Sequence, residues 1–301
     1  MALLAGKHVV CEKPLAMSSA ESAELVQLAA ERGLVAATCY NLRFYPLVRE
    51  ARERLRSGSS GRPYLIQGSY LQDWLLNDDD WNWRLDPEVG GPLRAVADIG
   101  THWLDMLQYV VGRRVIEVMA DFSTVHPLRR KPSGAVKTFS AAGSEAATES
   151  VRMETEDCAV MLLRFEGGAK GALSVSQVSA GRKNSLCFEV DAANESLAWD
   201  SEEPNTLRVG RRGSPSQVLT KDPSVLRPEA AALCAYPAGH QEGYADTFAR
   251  LFERFYDYVA AGDMDAERDF PGFDDGHREM LLCDALLKSS REGRWVRVDY
   301  A

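Results

Sequence analysis

Val9-Val10-Cys11-Glu12-Lys13-Pro14, then Ser18-Ser19-Ala20-Glu21, then Leu34 to Cys39: this stretch decides what kind of fold the chain enters. The apolar run His8-Val9-Val10-Cys11 is too short for a helix and is closed by Pro14, so it reads as a buried strand. Ser18 with Glu21 three residues on fits a capping box. Leu25, Leu28 and Ala29 continue an apolar stripe at helical spacing until Gly33, and Leu34 to Cys39 reads as a second buried strand. Strand–helix–strand within about 30 residues is the unit of a parallel sheet.

Two parallel strands and one helix do not make a stable doubly wound domain by themselves. Met1 to Gly6 lacks the basic start and long apolar stretch of a secretory signal and looks like a helix end stopped at Gly6. The expectation is a chain incomplete at its front by about 80 to 90 residues. No Gly-x-Gly-x-x-Gly loop occurs among the 301 residues, so this chain alone is expected to bind dinucleotide poorly or not at all.

Downstream, Pro46 opens a helix bearing Leu47, Val48, Ala51 and Leu55 that ends at Ser57-Gly58-Ser59-Ser60-Gly61. Pro63 to Trp74 is strand-like, Asn77-Asp78-Asp79-Asp80 is a polar loop, and a helical period returns from Asp98 to Val111 before Gly112. Strand-like runs follow at 115–125, 156–165, 169–179, 186–190, 196–199 and 206–209, with Gly167-Gly168 and Ala193-Asn194 as hairpin connections. This predicts an antiparallel sheet. The Ser-, Ala- and Gly-rich stretch from Lys131 to Ser150 reads as a long mobile loop. Helices over 241–261 and 274–292 and a strand over 295–298 close the chain.

At 45% hydrophobic and 26% charged residues the chain has the composition of a soluble globular protein. A net charge of -9 and a pI near 5.2 argue against a nucleic-acid partner. Cys11, Cys39, Cys158, Cys187, Cys234 and Cys283 are scattered singly, which reads as reduced thiols in a cytoplasmic protein. No apolar run approaches the ~20 residues that span a bilayer, so no membrane partner is expected.

Asp98 and His102 are four apart, so on a helix they share a face. A carboxylate there can orient the imidazole and raise its pKa for proton transfer; the alternative is a helix cap beside a satisfied half-buried histidine. A metal reading using Asp98, His102 and Asp105 is disfavoured, with five histidines in all and no H-E-x-x-H. Lys13 ends a strand at the sheet edge where α/β proteins bind ligands; alone, Glu12-Lys13-Pro14 reads more readily as surface. Asn41 and Arg43 follow the next strand onto the same rim. Tyr70, Gln72, Trp74, Trp81, Trp83 and Arg84 read either as the wall of a carbohydrate pocket or as core. His240 precedes a helix as cap or pocket residue.

These residues in this order resemble the Gfo/Idh/MocA family of NAD(P)-dependent oxidoreductases. The likeness runs through Ala5-Gly6-Lys7-His8-Val9-Val10-Cys11-Glu12-Lys13-Pro14-Leu15, Tyr40-Asn41-Leu42-Arg43-Phe44, Gly90-Gly91, Asp98-Ile99-Gly100-Thr101-His102 and Arg291-Glu292-Gly293-Arg294-Trp295-Val296. It implies an α/β plus α+β fold: residues 1–45 the remnant of a Rossmann sheet, and residues 46–301 a larger domain with an open-faced, mostly antiparallel sheet flanked by helices. It further implies NAD or NADP as cofactor and a homo-oligomer, dimer or tetramer, formed through the sheet. Lys13, Asp98 and His102 would be catalytic, with His102 the acid/base. Glu12, Lys13, Pro14, Asn41 and Arg43 would face the cofactor. Tyr45, Gln72, Trp74, Arg84, Thr101 and His240 would bind a sugar or polyol, as in the subgroup acting on pyranose-type sugars. The rival reading is a non-catalytic sugar-binding or oligomerisation module of the same fold. A TIM barrel is disfavoured by the consecutive strands of the second half.

Overall fold

The computed structural model describes residues 1–132 and 148–300. β1 (Val9–Cys11) and β2 (Ala36–Thr38) pair in parallel, with Val10 opposite Ala37, and α1 (Ser19–Glu31) crosses between them. Ser18 Oγ accepts from the Glu21 amide and the Glu21 carboxylate accepts from the Ser18 amide, both at 3.2 Å. Such a cap is worth about 1 kcal/mol. A 3-10 turn, Asn41–Phe44, leads into α2 (Pro46–Arg56), whose Leu47, Val48 and Ala51 are fully buried. Next come β3 (Pro63–Leu71), the single turn α3 (Pro87–Gly90), a π-helical turn (Val96–Gly100) and α4 (Thr101–Val111).

The second half supplies β4 (Val115–Ser123), β5 (Leu128–Pro132), β6 (Thr148–Arg152), β7 (Cys158–Phe165), β8 (Lys170–Ser176), β9 (Ser185–Ala192), β10 (Ser196–Asp200), β11 (Thr206–Gly210) and β12 (Gln217–Thr220). The short α5 (Pro228–Ala231), then α6 (Tyr244–Ala261), α7 (Phe273–Glu292) and β13 (Val296–Arg297) follow. Nine strands form one sheet in the order β12-β11-β10-β9-β3-β8-β7-β4-β13. All neighbours are antiparallel except β3 and β8, which run parallel with Leu65 opposite Lys170, a pairing that consecutive hairpins do not predict.

One face of this sheet is the core. Trp103, Met106 and Leu107 of α4 and Leu282 and Leu286 of α7 pack on Ile66, Met161, Leu173 and Phe188. The other face leaves Leu65, Val160 and Leu162 exposed. Gly68 fixes α4 on the sheet: a Cβ there would lie 2.1 Å from the Cys187 carbonyl oxygen, the atom to which the Trp103 indole donates at 2.9 Å. Only the bare backbone admits that bond.

The small parallel sheet is covered by the last two long helices. Val35, Ala37 and Cys39 pack with Leu251 and Phe255 of α6, while Phe273 of α7 packs with Leu15, Ala29 and Ala36. Thr38 Oγ1 donates to the Gly272 carbonyl at 3.1 Å, and Ser22 Oγ lies 2.8 Å from His277 Nδ1.

Two expectations need correction. The ends of the stretch read as a mobile loop, Lys131 and Pro132 with Thr148 to Ser150, belong to the β5–β6 hairpin, and residues 133–147 lie outside the described residues. The hairpin escapes a pattern reading because its buried member is an arginine: Arg129 donates to Asp157 at 2.6 Å and to the Leu75 carbonyl at 2.9 Å. β12 was not anticipated either; it is a largely exposed edge strand without apolar alternation. Among the described residues no helix is long and apolar enough to cross a membrane, and the six cysteines are free.

Candidate active site

Lys13, just beyond the carboxyl end of β1, donates to Asp98 twice, at 2.8 Å to Oδ1 and 2.5 Å to the main-chain oxygen. Asp98 sits in the π-helical turn, whose start is pinned by buried Glu156: Oε1 accepts from the amides of Arg94 at 2.9 Å and Val96 at 2.8 Å. Arg84 Nε lies 3.1 Å from Asp98 Oδ1, and Gln177 donates to Oδ2 at 2.9 Å. The Gly90-Gly91 pair brings the Arg84 loop to this point. A Cβ on Gly90 would meet the Arg84 carbonyl oxygen at 2.9 Å, and Gly91 has a φ of +83°. Burial pushes the Asp98 carboxyl up, but Lys13 and then Arg84 outweigh it, so the pKa falls from 3.8 to about 2. Asp98 is therefore a fixed anion.

His102 follows one turn on, 6% exposed, with the Tyr40 ring edge-on at 5.7 Å and the Tyr70 ring at 6.3 Å between centroids. Its Nδ1 is buried and has no hydrogen-bond partner among the described residues. The expectation that Asp98 orients this ring and raises its pKa into the neutral range is not met, although Asp98 does pull that pKa upward. Both Asp98 oxygens are held by Lys13, Arg84 and Gln177. Burial, joined by the Lys13 charge, outweighs the pull of Asp98 and sends the imidazole well below 6.5. His102 is neutral at pH 7 and can accept a proton.

These groups meet at one cleft of about 430 Å³ with Glu12, Asn41, Gln72, Trp74 and Arg84, all anticipated from the sequence, and with Tyr70 of the aromatic cluster. Cys39, Ile99, Asn184, Tyr244 and Phe248 complete it. Asn184 Oδ1 accepts from both the Tyr70 hydroxyl at 2.9 Å and the Gln72 amide at 2.7 Å. That fork turns Gln72 Oε1 the other way, buried and without a partner among the described residues. Asn41 is fixed likewise: its amide donates to Thr247 Oγ1 at 2.6 Å while its Oδ1 stays unpartnered. Each buried acceptor left unpaired costs about 1–3 kcal/mol, so Gln72 Oε1 and Asn41 Oδ1, with the unpartnered His102 Nδ1 beside them, suit a ligand that brings hydrogen-bonding groups. Tyr244 and Phe248 were detectable as an i, i+4 aromatic pair; Gln177 and Asn184 carried no signal in the sequence.

Five anticipated residues lie elsewhere. Arg43 turns away into a buried ion pair with Asp105 and a second with Asp275 at 3.0 Å. Tyr45 is core, its ring 5.0 Å from that of Trp199. Thr101 is fully buried and donates back to the Ala97 carbonyl at 2.9 Å. His240 is exposed and lines a separate depression with Asn205 and Lys221. Pro14, joined to Lys13 by a cis peptide, is half-buried and does not line the cleft. Of the remaining tryptophans, Trp81 packs against Leu75, Leu85 and Met153, and exposed Trp83 stacks on Arg84 at 4.6 Å. Asp98 and Asp105, which a metal reading would join to His102, are held by separate cations.

Comparison with known proteins places this arrangement. Residues 1–40 match the oxidoreductase family NAD-binding Rossmann fold, and residues 48–198 match the GFO/IDH/MocA C-terminal domain. Levoglucosan dehydrogenase of Pseudarthrobacter phenanthrenivorans is 30% identical over 98% of this chain and 74% of that protein. A levoglucosan dehydrogenase structure in complex with NADH and L-sorbose superposes with a TM-score of 0.86 at 28% identity, covering 100% of this chain and 75% of that one. An inositol dehydrogenase homolog from Azotobacter vinelandii, complexed with NADH and myo-inositol, gives 0.83 at 26% identity, covering 98% and 73%. The chain thus belongs to the GFO/IDH/MocA family, as an oxidoreductase of the sugar and polyol dehydrogenase class with an NAD-binding Rossmann part.

Proposed function

We propose that the cleft oxidises a ring hydroxyl of a pyranose sugar or cyclic polyol, with His102 taking the hydroxyl proton. The observation that carries this is the buried, neutral, unpartnered Nδ1 of His102 beside the Lys13–Asp98 pair. Bound nicotinamide dinucleotide, NAD or NADP, supplies the hydride acceptor. Glu12, Lys13 and Asn41, at the carboxyl ends of two parallel strands, are the residues that would hold its reactive end. Two unpaired amide oxygens, an unpartnered imidazole nitrogen and a lysine at the rim suit both an amide-bearing ring and a polyhydroxylated substrate.

Lys13 gives two of its three N–H donors to Asp98, leaving one for the reacting hydroxyl. Asp98 keeps that ammonium in place and stabilises the imidazolium that forms on His102. Gln72 Oε1 accepts from a neighbouring hydroxyl, Arg84 donates to another, and Trp74 with Tyr70 flanks the ring face. In this reading residues 1–45 supply the cofactor rim and residues 46–301 most of the substrate wall. The bare sheet face around Val160 and Leu162 is the proposed subunit interface.

The test is His102→Ala, assayed on pyranoses and inositols by the appearance of reduced nicotinamide. Turnover should fall by about 10²–10⁴-fold while NADH affinity, read by fluorescence, holds. Unchanged turnover removes His102 from the role. Sugar binding without any turnover by a parent chain that also binds NADH would favour the non-catalytic module.

A further inference from the structure

Behind the cleft, α4 carries a second cavity. His102 faces the substrate side; about one to two turns later Asp105, Gln108 and Tyr109 face a pocket of about 400 Å³ into which five arginines also project: Arg43, Arg52, Arg113, Arg114 and Arg278. The dehydrogenase chemistry uses none of them.

The charges do not cancel. Arg43 and Arg278 are matched by Asp105 and Asp275. Glu166, whose carboxylate accepts from the Arg114 amide at 3.1 Å, offsets one further charge, and burial and then the Asp105 charge push Glu279, which accepts from Gln108 at 2.8 Å, well upward. Arg52, Arg113 and Arg114 thus share the pocket with Glu166 as their one remaining lining carboxylate. Arg52 is only 24% exposed, yet its nearest carboxylate among the described residues, Glu53, is 3.9 Å away. Its guanidinium instead donates to the Tyr109 main-chain carbonyl and lies 4.1 Å from the Tyr109 ring centroid, which it shares with Arg43 at 4.8 Å and Arg49 at 5.8 Å. Arg113 and Arg114 make no side-chain ion pair among the described residues, and Arg114 rests on Tyr300 at 5.7 Å. Around the Tyr109 ring Arg43 is already paired with Asp105 and Asp275, and Arg49 with Glu53 and Asp269, so Arg52 is the guanidinium there that an added anion would serve.

We propose that this pocket is a binding site for a phosphoryl group, separate from the substrate cleft, with Arg52, Arg113 and Arg114 as its ligands. A phosphoryl group offers three terminal oxygens and up to two charges to three guanidiniums, whereas a carboxylate offers two oxygens and one charge. The cavity has room for a small phosphate ester as well as the free ion. Because Asp105 and Tyr109 share α4 with His102, an occupant would be felt one turn from the proton acceptor.

The experiment is calorimetric titration of the 301-residue chain with inorganic phosphate, pyrophosphate and glucose 6-phosphate at constant ionic strength. Saturable one-site binding is expected. Preference for glucose 6-phosphate over phosphate identifies an ester, and the reverse identifies the free ion. Arg52→Gln and Arg113→Gln should each weaken binding about tenfold or more, the loss of one charge-assisted hydrogen bond. Arg212→Gln, an exposed arginine in a distant turn, should leave it unchanged. Arg52→Lys, keeping the charge, guards against a folding defect and should bind with intermediate strength. Absence of saturable binding, or binding indifferent to Arg52 and Arg113, overturns the proposal.

Discussion

Gln177 donates its side-chain amide to Asp98 Oδ2 at 2.9 Å while its carbonyl accepts from fully buried Arg94 at 3.3 Å. Arg94 in turn ion-pairs with Asp157, which also holds Arg129 at 2.6 Å. The Asp98 carboxylate is thus one end of a chain of buried polar groups reaching the β5–β6 hairpin. Its Oδ2 is held by residues that line no part of the cleft, while Lys13 and Arg84 hold Oδ1 from within it.

Gln177→Leu removes that link and leaves Asp98 Oδ2 and an Arg94 N–H without a partner. A cost of about 1–3 kcal/mol is expected. With Lys13 less firmly held, kcat should fall more than KM rises. A change confined to thermal stability, with kcat intact, would make Gln177 a scaffold residue only.

The depressed pKa of His102 sets the acid limb of the pH–rate profile. A base must be unprotonated, so kcat/KM should hold as pH falls through 6.5 and drop only below it. A limb centred above 6.5 would contradict the burial argument. Stability should follow the same group. Below pH 6.5 the unfolded chain binds a proton that buried His102 refuses, so stability present above that pH is lost as pH falls, at up to about 1.4 kcal/mol per pH unit. Asp98, depressed to about 2, adds a second loss between pH 3.8 and 2. Asp105, raised to about 6 by burial against the pull of Arg43, acts in the opposite sense between pH 3.8 and 6. Urea unfolding of His102→Gln beside the parent isolates the histidine: the variant should lose less stability between pH 6.5 and 5.

Asn184→Leu frees both Tyr70 and Gln72 from their common acceptor. Gln72 can then flip, and its oxygen no longer faces the cleft by default. KM for a pyranose should rise about tenfold, the worth of one well-placed hydrogen bond, with a smaller change in kcat. Equal KM values would show that Gln72 is held by other contacts.

Val160→Asp with Leu162→Asp places two charges on the bare face of β7, where both positions point away from the core. If that face joins subunits, light scattering should show a smaller species at unchanged helix content. A parent chain that is already monomeric would remove the interface.

The strand–helix–strand at the front, the capped α1, the helix bearing His102 and the run of later strands were legible because their signals are local: periodicity, caps, glycines and turns. Lys13, Asp98, His102, Gln72, Trp74 and Arg84 were legible as residue types at element ends. Sequence did not decide direction. Arg43, two residues past Asn41, points into a carboxylate pair, and Thr101, beside His102, points into the protein, because a turn sends neighbours to opposite sides. Nor did it decide company. Leu71 at the end of β3 lies opposite Ser176 of β8 on one side and Ser185 of β9 on the other. Gln72, Gln177 and Asn184 therefore arrive together at one sheet edge from three distant stretches of chain. The burial that keeps His102 neutral belongs to that assembly: only the packed structure removes the water that would otherwise hold its charge.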